Sequence, residues 1–154
     1  MKWLVLVHVL SAIIGIGPTF FSHVLLRSNQ SLDQLRHSMQ LSKQMDLFPK
    51  IGASIAVLSG ITLVSIGNYG SFMQLWIFGS LVLFIIIEII VIGFFAPASQ
   101  KLRNWLIHPD NHHMQSLPPE QLGYFNKARN LLWSASALGA LLFIFMIMKP
   151  IIGS

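Results

Sequence analysis

Four runs of roughly 20 apolar residues constrain this chain more than any other feature, because that is the length a helix needs to cross a bilayer. They cover about residues 3–26, 48–68, 73–96 and 128–148. In hydrocarbon only helices and closed barrels satisfy every backbone N–H and C=O. None of the runs alternates with a period of two, so the expected fold is all-α. The reading is an integral membrane four-helix bundle, a single transmembrane domain over residues 1–154. Charged residues make up 10% of the chain, against about 25% in soluble domains, and this excludes an ordinary soluble class. The first run is too long for a signal peptide, and Phe20-Phe21-Ser22-His23 is not a small-residue cleavage site.

Without cysteine, disulfides, iron–sulfur clusters and thiolate metal sites are excluded. The net charge of +5 is read by position, as a marker of sidedness and not of nucleic-acid binding. Arg27, Arg36 and Lys43 lie between the first two runs, with Lys50 at the start of the second. Lys101 and Arg103 lie between the last two, with Lys127 and Arg129 where the fourth begins. Only Lys2 and Lys149 flank the other side, and the short turn from Asn68 to Phe72 is uncharged. This distribution predicts both long loops in the cytoplasm and both termini outside. Tyr69, Trp76, Trp105 and Trp133 are read as interfacial anchors near helix ends, with Lys101 and Arg103 beside them.

The first long loop is expected to fold. Ser31-Leu32-Asp33-Gln34 fits a capping box, and Leu32, Leu35 and Met39 follow at helical spacing. A short amphipathic helix over 31–46 is predicted at the cytoplasmic interface or packed under the bundle. The second long loop reads as irregular around His108, Pro109, Asp110, Asn111, His112 and His113. Pro118-Pro119 then leads into a helix that extends the fourth span. Pro18 is expected to kink the first helix. Gly52, Ala56 and Gly60, and likewise Ala135 and Gly139 with Ser136 and Ala140, are spaced to let helix backbones approach closely.

Few side chains in the spans carry chemistry. His8 shares a helix face with Ser11, Ala12, Gly15, Thr19 and Ser22, all within about 60° of it, so it is expected to face the bundle. A neutral imidazole there can ligate haem iron or copper, relay protons, or simply hydrogen-bond a neighbouring helix. His23 lies about 22 Å further along the axis, too far to share one metal with His8, and is the weaker ligand candidate. Glu88 is the only acidic residue deep in a span and must be either protonated or paired. It is the candidate for catalytic, proton-relay or cation chemistry, against the plainer role of an interhelical hydrogen bond. Met73, Met146 and Met148 fall near the depth of His8. Thioethers with an imidazole suit Cu(I), although methionine is more commonly a flexible core filler. The loop histidines 108, 112 and 113 have no helix to fix a metal geometry. No phosphate-binding glycine loop, serine nucleophile motif or zinc signature is present.

The opening L-V-H-V-L-S-A-I-I-G-I-G-P-T-F, together with the four spans, resembles an uncharacterised bacterial family of small predicted integral membrane proteins. The resemblance implies a multi-pass protein of the bacterial cytoplasmic membrane. More distantly, a first-helix histidine followed by small residues is similar to the HemJ-type membrane protoporphyrinogen oxidases and to the membrane domain of the copper-resistance protein D group. That likeness implies haem b or a porphyrin at His8, with Ser11, Gly15 and Thr19 lining the site. The HemJ type pairs its histidine with a later-helix lysine. The third run here has none, and Glu88 is its only comparable polar residue.

Three functions follow as expectations. The first is haem, porphyrin or redox-cofactor binding with His8 as ligand, Met146 or a homodimer partner completing the coordination. The second is a small transporter or proton-coupled permease subunit using Glu88. The third is a non-catalytic membrane partner or assembly factor docking through the 27–46 loop.

Overall fold

The computed structural model describes residues 1–67, 69 and 72–150. Asn68, Gly70 and Ser71 of the expected turn lie outside the described residues. Six α-helices account for most of the described residues: α1 (Lys2–Leu25), α2 (Leu32–Met45), α3 (Leu47–Ile66), α4 (Leu75–Glu88), α5 (Ala96–Ile107) and α6 (Pro119–Met148). A π-helical stretch, Ile89–Phe95, joins α4 to α5 without a break, so one helical rod runs from Leu75 to Ile107. The described residues contain four helical stretches long and apolar enough to cross a membrane, and no strand.

The ends of the helices are set by local chemistry. α1 runs through Pro18 as a single helix. Beyond its last turn, Gln30 Nε2 donates to Leu25 O at 2.7 Å and to Arg27 O at 2.9 Å, satisfying carbonyls the helix end leaves open. The capping box at Ser31 forms in both directions: Gln34 N donates to Ser31 Oγ, and Ser31 N donates to Gln34 Oε1. α2 then buries Leu32, Leu35, Arg36, Met39 and Ser42, one stripe at helical spacing. α6 starts on Pro119, whose missing N–H costs nothing in a first turn.

α1 packs most extensively against α3, and also against α6, while α4 packs against α6. No Cα of α3 comes within 8 Å of one in α4 among the described residues, although the two are consecutive. The lateral order is therefore α3–α1–α6–α4, with α3 and α4 at the edges. The small residues make the tightest seams. A Cβ on Gly15 would stand 2.8 Å from Ala53 N, and one on Gly52 would stand 2.7 Å from Gly15 Cα. On the other side of α1, a Cβ on Gly139 would meet the Ile16 side chain at 3.1 Å.

The best-buried core is not between the apolar runs but at the end that carries the long connections. Leu26, Leu32, Leu35 and Met39 pack there against Ala98, Leu102 and Leu106 of α5 and against Phe125, Ala128 and Leu132 of α6. Leu102, Leu106 and Ala128 are fully buried. Burial out of water is what drives this packing. Between helices in lipid that driving force is missing. The rod Leu75–Ile107 is ~50 Å long and α6 ~45 Å, each well beyond a ~30 Å hydrocarbon core, so both helices project to build this cap with α2.

The sequence reading assigned no structure to residues 97–107, and the structure makes them α5. Within the second connection, residues 108–118 are irregular, apart from a single tight turn at Pro109–Asn111. Trp133 sits in the middle of α6 and not near a helix end, because α6 begins fourteen residues earlier at Pro119.

Candidate functional site

His8 reaches across to α3. Its Nδ1 lies 2.9 Å from Ala56 O and 3.2 Å from Ser59 Oγ. A carbonyl oxygen only accepts, so Nδ1 carries the proton and donates. In a neutral ring this leaves Nε2 as the lone-pair nitrogen, and it makes no hydrogen bond among the described residues. The ring lies over Gly60, where an added Cβ would come 3.0 Å from Cε1. Ser59 Oγ donates into its own helix, to Ile55 O at 2.6 Å, and so presents its lone pairs to the His8 Nδ1–H.

The residues placed beside His8 in sequence have definite positions. Ser11 is buried and turns its hydroxyl back to Val7 O and His8 O. Gly15 is buried against Ala53 and Gly52. Thr19, further along α1, is half-buried. The small-residue stripe is thus filled by the α3 backbone at Ser11 and Gly15. No flat space is left between α1 and α3 at that level.

His23 belongs to a different seam. Its Nε2 lies 2.8 Å from Ser136 Oγ of α6, and its ring centroid is 4.2 Å from that of Trp133. His8 therefore faces α3 and His23 faces α6, and the two histidines do not form one site. Met146 is half-buried near the far end of α6. Among the described residues, no three His, Cys, Asp or Glu side chains gather closely enough to hold a metal ion. Of the loop histidines, His108 Nδ1 comes within 3.6 Å of Asp110 Oδ2, and both side chains are exposed.

Glu88 ends α4, at the point where the helix opens into the π-helical stretch. It is half-buried and has no hydrogen-bond or ion-pair partner among the described residues. Such π segments recur at functional sites because the widened turn displaces side chains from the regular helix face. Neither Lys50 nor Arg129, the basic residues that begin the neighbouring apolar runs, pairs with Glu88 among the described residues.

Sequence reasoning counted Arg36 only as a sidedness marker, yet it is the polar centre of the cap. Its side chain is buried and donates from Nε to Leu106 O at 3.2 Å and from Nη2 to Asn111 O at 2.8 Å, while Nη1 pairs with Asp33. Asn111 Nδ2 donates in turn to Trp105 O at 2.9 Å. Two of the last carbonyls of α5, those of Trp105 and Leu106, are thereby satisfied, and residues 108–111 are tied to α2. Arg103 lies 3.7 Å from Asp46 at the α2–α3 junction, and Lys101, itself exposed, donates to Tyr124 OH at 3.3 Å on the surface of the cap.

No curated protein and no solved structure matches this chain. A family model described as "Predicted integral membrane protein (DUF2269)" matches residues 2–150. With four long apolar helices and a match over nearly its whole length, the chain belongs to the DUF2269 family of integral membrane proteins.

Proposed function

We propose that this integral membrane protein holds a haem or a related metalloporphyrin through Nε2 of His8. The observation that carries the reading is the Nδ1–H···O=C bond to Ala56. Metal-binding histidines usually donate their second ring nitrogen to a carbonyl or carboxylate, which fixes the tautomer and raises the basicity of the ligating nitrogen. His8 has that arrangement, with Nε2 left over.

The site residues set limits on how such a group would sit. The Gly15–Gly52 contact closes the α1–α3 seam, so a macrocycle would lie on the apolar flank of the pair and not between the helices. α3, α4 and α6 contain no histidine. His8 would therefore be the residue that holds the group, with Met146, a second protomer or a substrate as the further donors available. Haem iron bound in this way would supply one-electron or oxygen chemistry, and His8 would supply orientation and electron donation. The transport reading gains no such support, since Glu88 sits on an edge helix without a polar partner among the described residues.

The test is an absorption spectrum of detergent-purified protein, oxidised and then reduced, from cells supplied with a haem precursor. The expected result is a Soret band that His8→Ala abolishes and His23→Ala leaves intact, both variants remaining helical and monodisperse. A protein without porphyrin absorbance, or a band that survives His8→Ala, overturns the proposal.

A further inference from the structure

Glu88 is half-buried and has no hydrogen-bond or ion-pair partner among the described residues. It lies thirteen residues from Leu75 and thirteen from Lys101, about 20 Å of helix rise in either direction, so its side chain reaches neither polar boundary. A carboxyl group left unpaired at that depth is costly, and lipid offers it no hydrogen-bond partner. Gly93 lies one i→i+5 step further along the π-helical stretch, which brings it back to roughly the same face. Gly93 is exposed, and a Cβ added there would meet nothing within 4 Å. Beside them Val82, Ile85, Ile89 and Ile92 are exposed along an edge helix that, among the described residues, packs against α6 and no other span.

We infer that this face of α4 and the π-helical stretch docks a second copy of the chain, with the two Glu88 carboxyl groups hydrogen-bonded to each other across a two-fold axis. The choice of a second copy follows from the chemistry of the group. A protonated carboxyl is at once donor and acceptor, so an identical carboxyl satisfies both of its functions. A two-fold contact places a residue near the axis against itself. Gly93 lets the backbones approach closely, and a polar contact inside lipid adds to van der Waals packing, the same combination that drives other membrane-helix associations. This inference is independent of cofactor binding at His8, because α1 and α4 are not neighbours.

The test measures protomer association for the full chain in lipid vesicles, by energy transfer between labelled copies at increasing dilution in lipid. Wild type is expected to dimerise. Glu88→Gln keeps a donor and an acceptor and should retain the dimer. Glu88→Leu removes both and should weaken association about tenfold, and Gly93→Leu should do the same by holding the helices apart. Oxidative cross-linking locates the face: Ile92→Cys should cross-link between copies, and Leu58→Cys, on the opposite edge helix, should not. Gly93→Leu and the two cysteine variants keep Glu88, so the test stands even if Glu88→Leu does not fold. A wild type that stays monomeric, including one whose Glu88 is reserved for a different protein, overturns the inference. So does a dimer that cross-links through Leu58→Cys and is indifferent to Glu88→Leu and Gly93→Leu.

Discussion

Gly15 and Gly52 hold α1 and α3 in backbone contact, and neither has room for a methyl group: a Cβ on Gly15 would stand 2.8 Å from Ala53 N. The atoms it would strike are backbone, not the far end of a flexible side chain, so the helices themselves would have to separate. Gly15→Ala or Gly52→Ala should therefore destabilise the protein by about 1–3 kcal/mol, the usual cost of overpacking. Gly123 is the control, since nothing lies within 4 Å of an added Cβ there. Alanine at that position should be neutral, or stabilising by up to ~1 kcal/mol through helix propensity. Reversible unfolding in mixed micelles measures all three.

Arg36 carries a second prediction. Arg36→Met keeps much of the apolar stem but removes the donors to Leu106 O and Asn111 O. Two cap carbonyls then lose partners, and a loss of about 1–3 kcal/mol is expected. Because those contacts fasten residues 108–111, limited proteolysis within 108–118 should accelerate while the apolar helices stay protected. Unchanged cleavage would show that the connection is held by something else.

What the sequence made legible follows from where the information is local. The four apolar runs, the Ser31 capping box and the start of a helix at Pro119 each depend on neighbouring residues, and each is present in the structure. α5 was missed because Ala98, Leu102 and Leu106 recur every four residues among Gln100, Lys101, Arg103 and Asn104, a short pattern easily taken for a polar loop. That four-residue spacing was the signal available. Arg36 could not have been found in this way, since its acceptors are backbone carbonyls seventy and more residues away. His8 lies between these cases. Its small-residue stripe was visible, but whether a stripe is open or filled depends on another helix. The matching run Gly52, Ala56, Gly60 was the evidence that it is filled.

The cap core gives a third prediction, set by the medium each residue faces. Leu102 is fully buried where water surrounds the protein, so Leu102→Ala should cost about 2–5 kcal/mol. Leu58 on α3 is 67% exposed and faces either lipid or a partner. Leu58→Ala leaves no cavity in the chain and should change stability by no more than about 0.5 kcal/mol. Equal losses at the two sites would mean that the apolar helices, and not the cap, dominate the energetics.

The last prediction concerns sidedness. Eight of the ten basic residues lie in or beside the long connections, and the fold gathers those connections at one end. Six of the eight are free to mark a leaflet, because Arg36 is committed to carbonyls within the cap and Arg103 is paired with Asp46. Six against two still predicts the cap in the cytoplasm and the termini outside. The chain has no native cysteine, so single thiols report cleanly. Lys2 and Ser116 are exposed at opposite ends and outside the packed core. In intact cells an impermeant maleimide should label Lys2→Cys and leave Ser116→Cys unlabelled until the membrane is opened. The reverse pattern would place the cap outside the cell and exchange the side of the membrane nearest His8, while leaving Glu88 as far from either boundary as before.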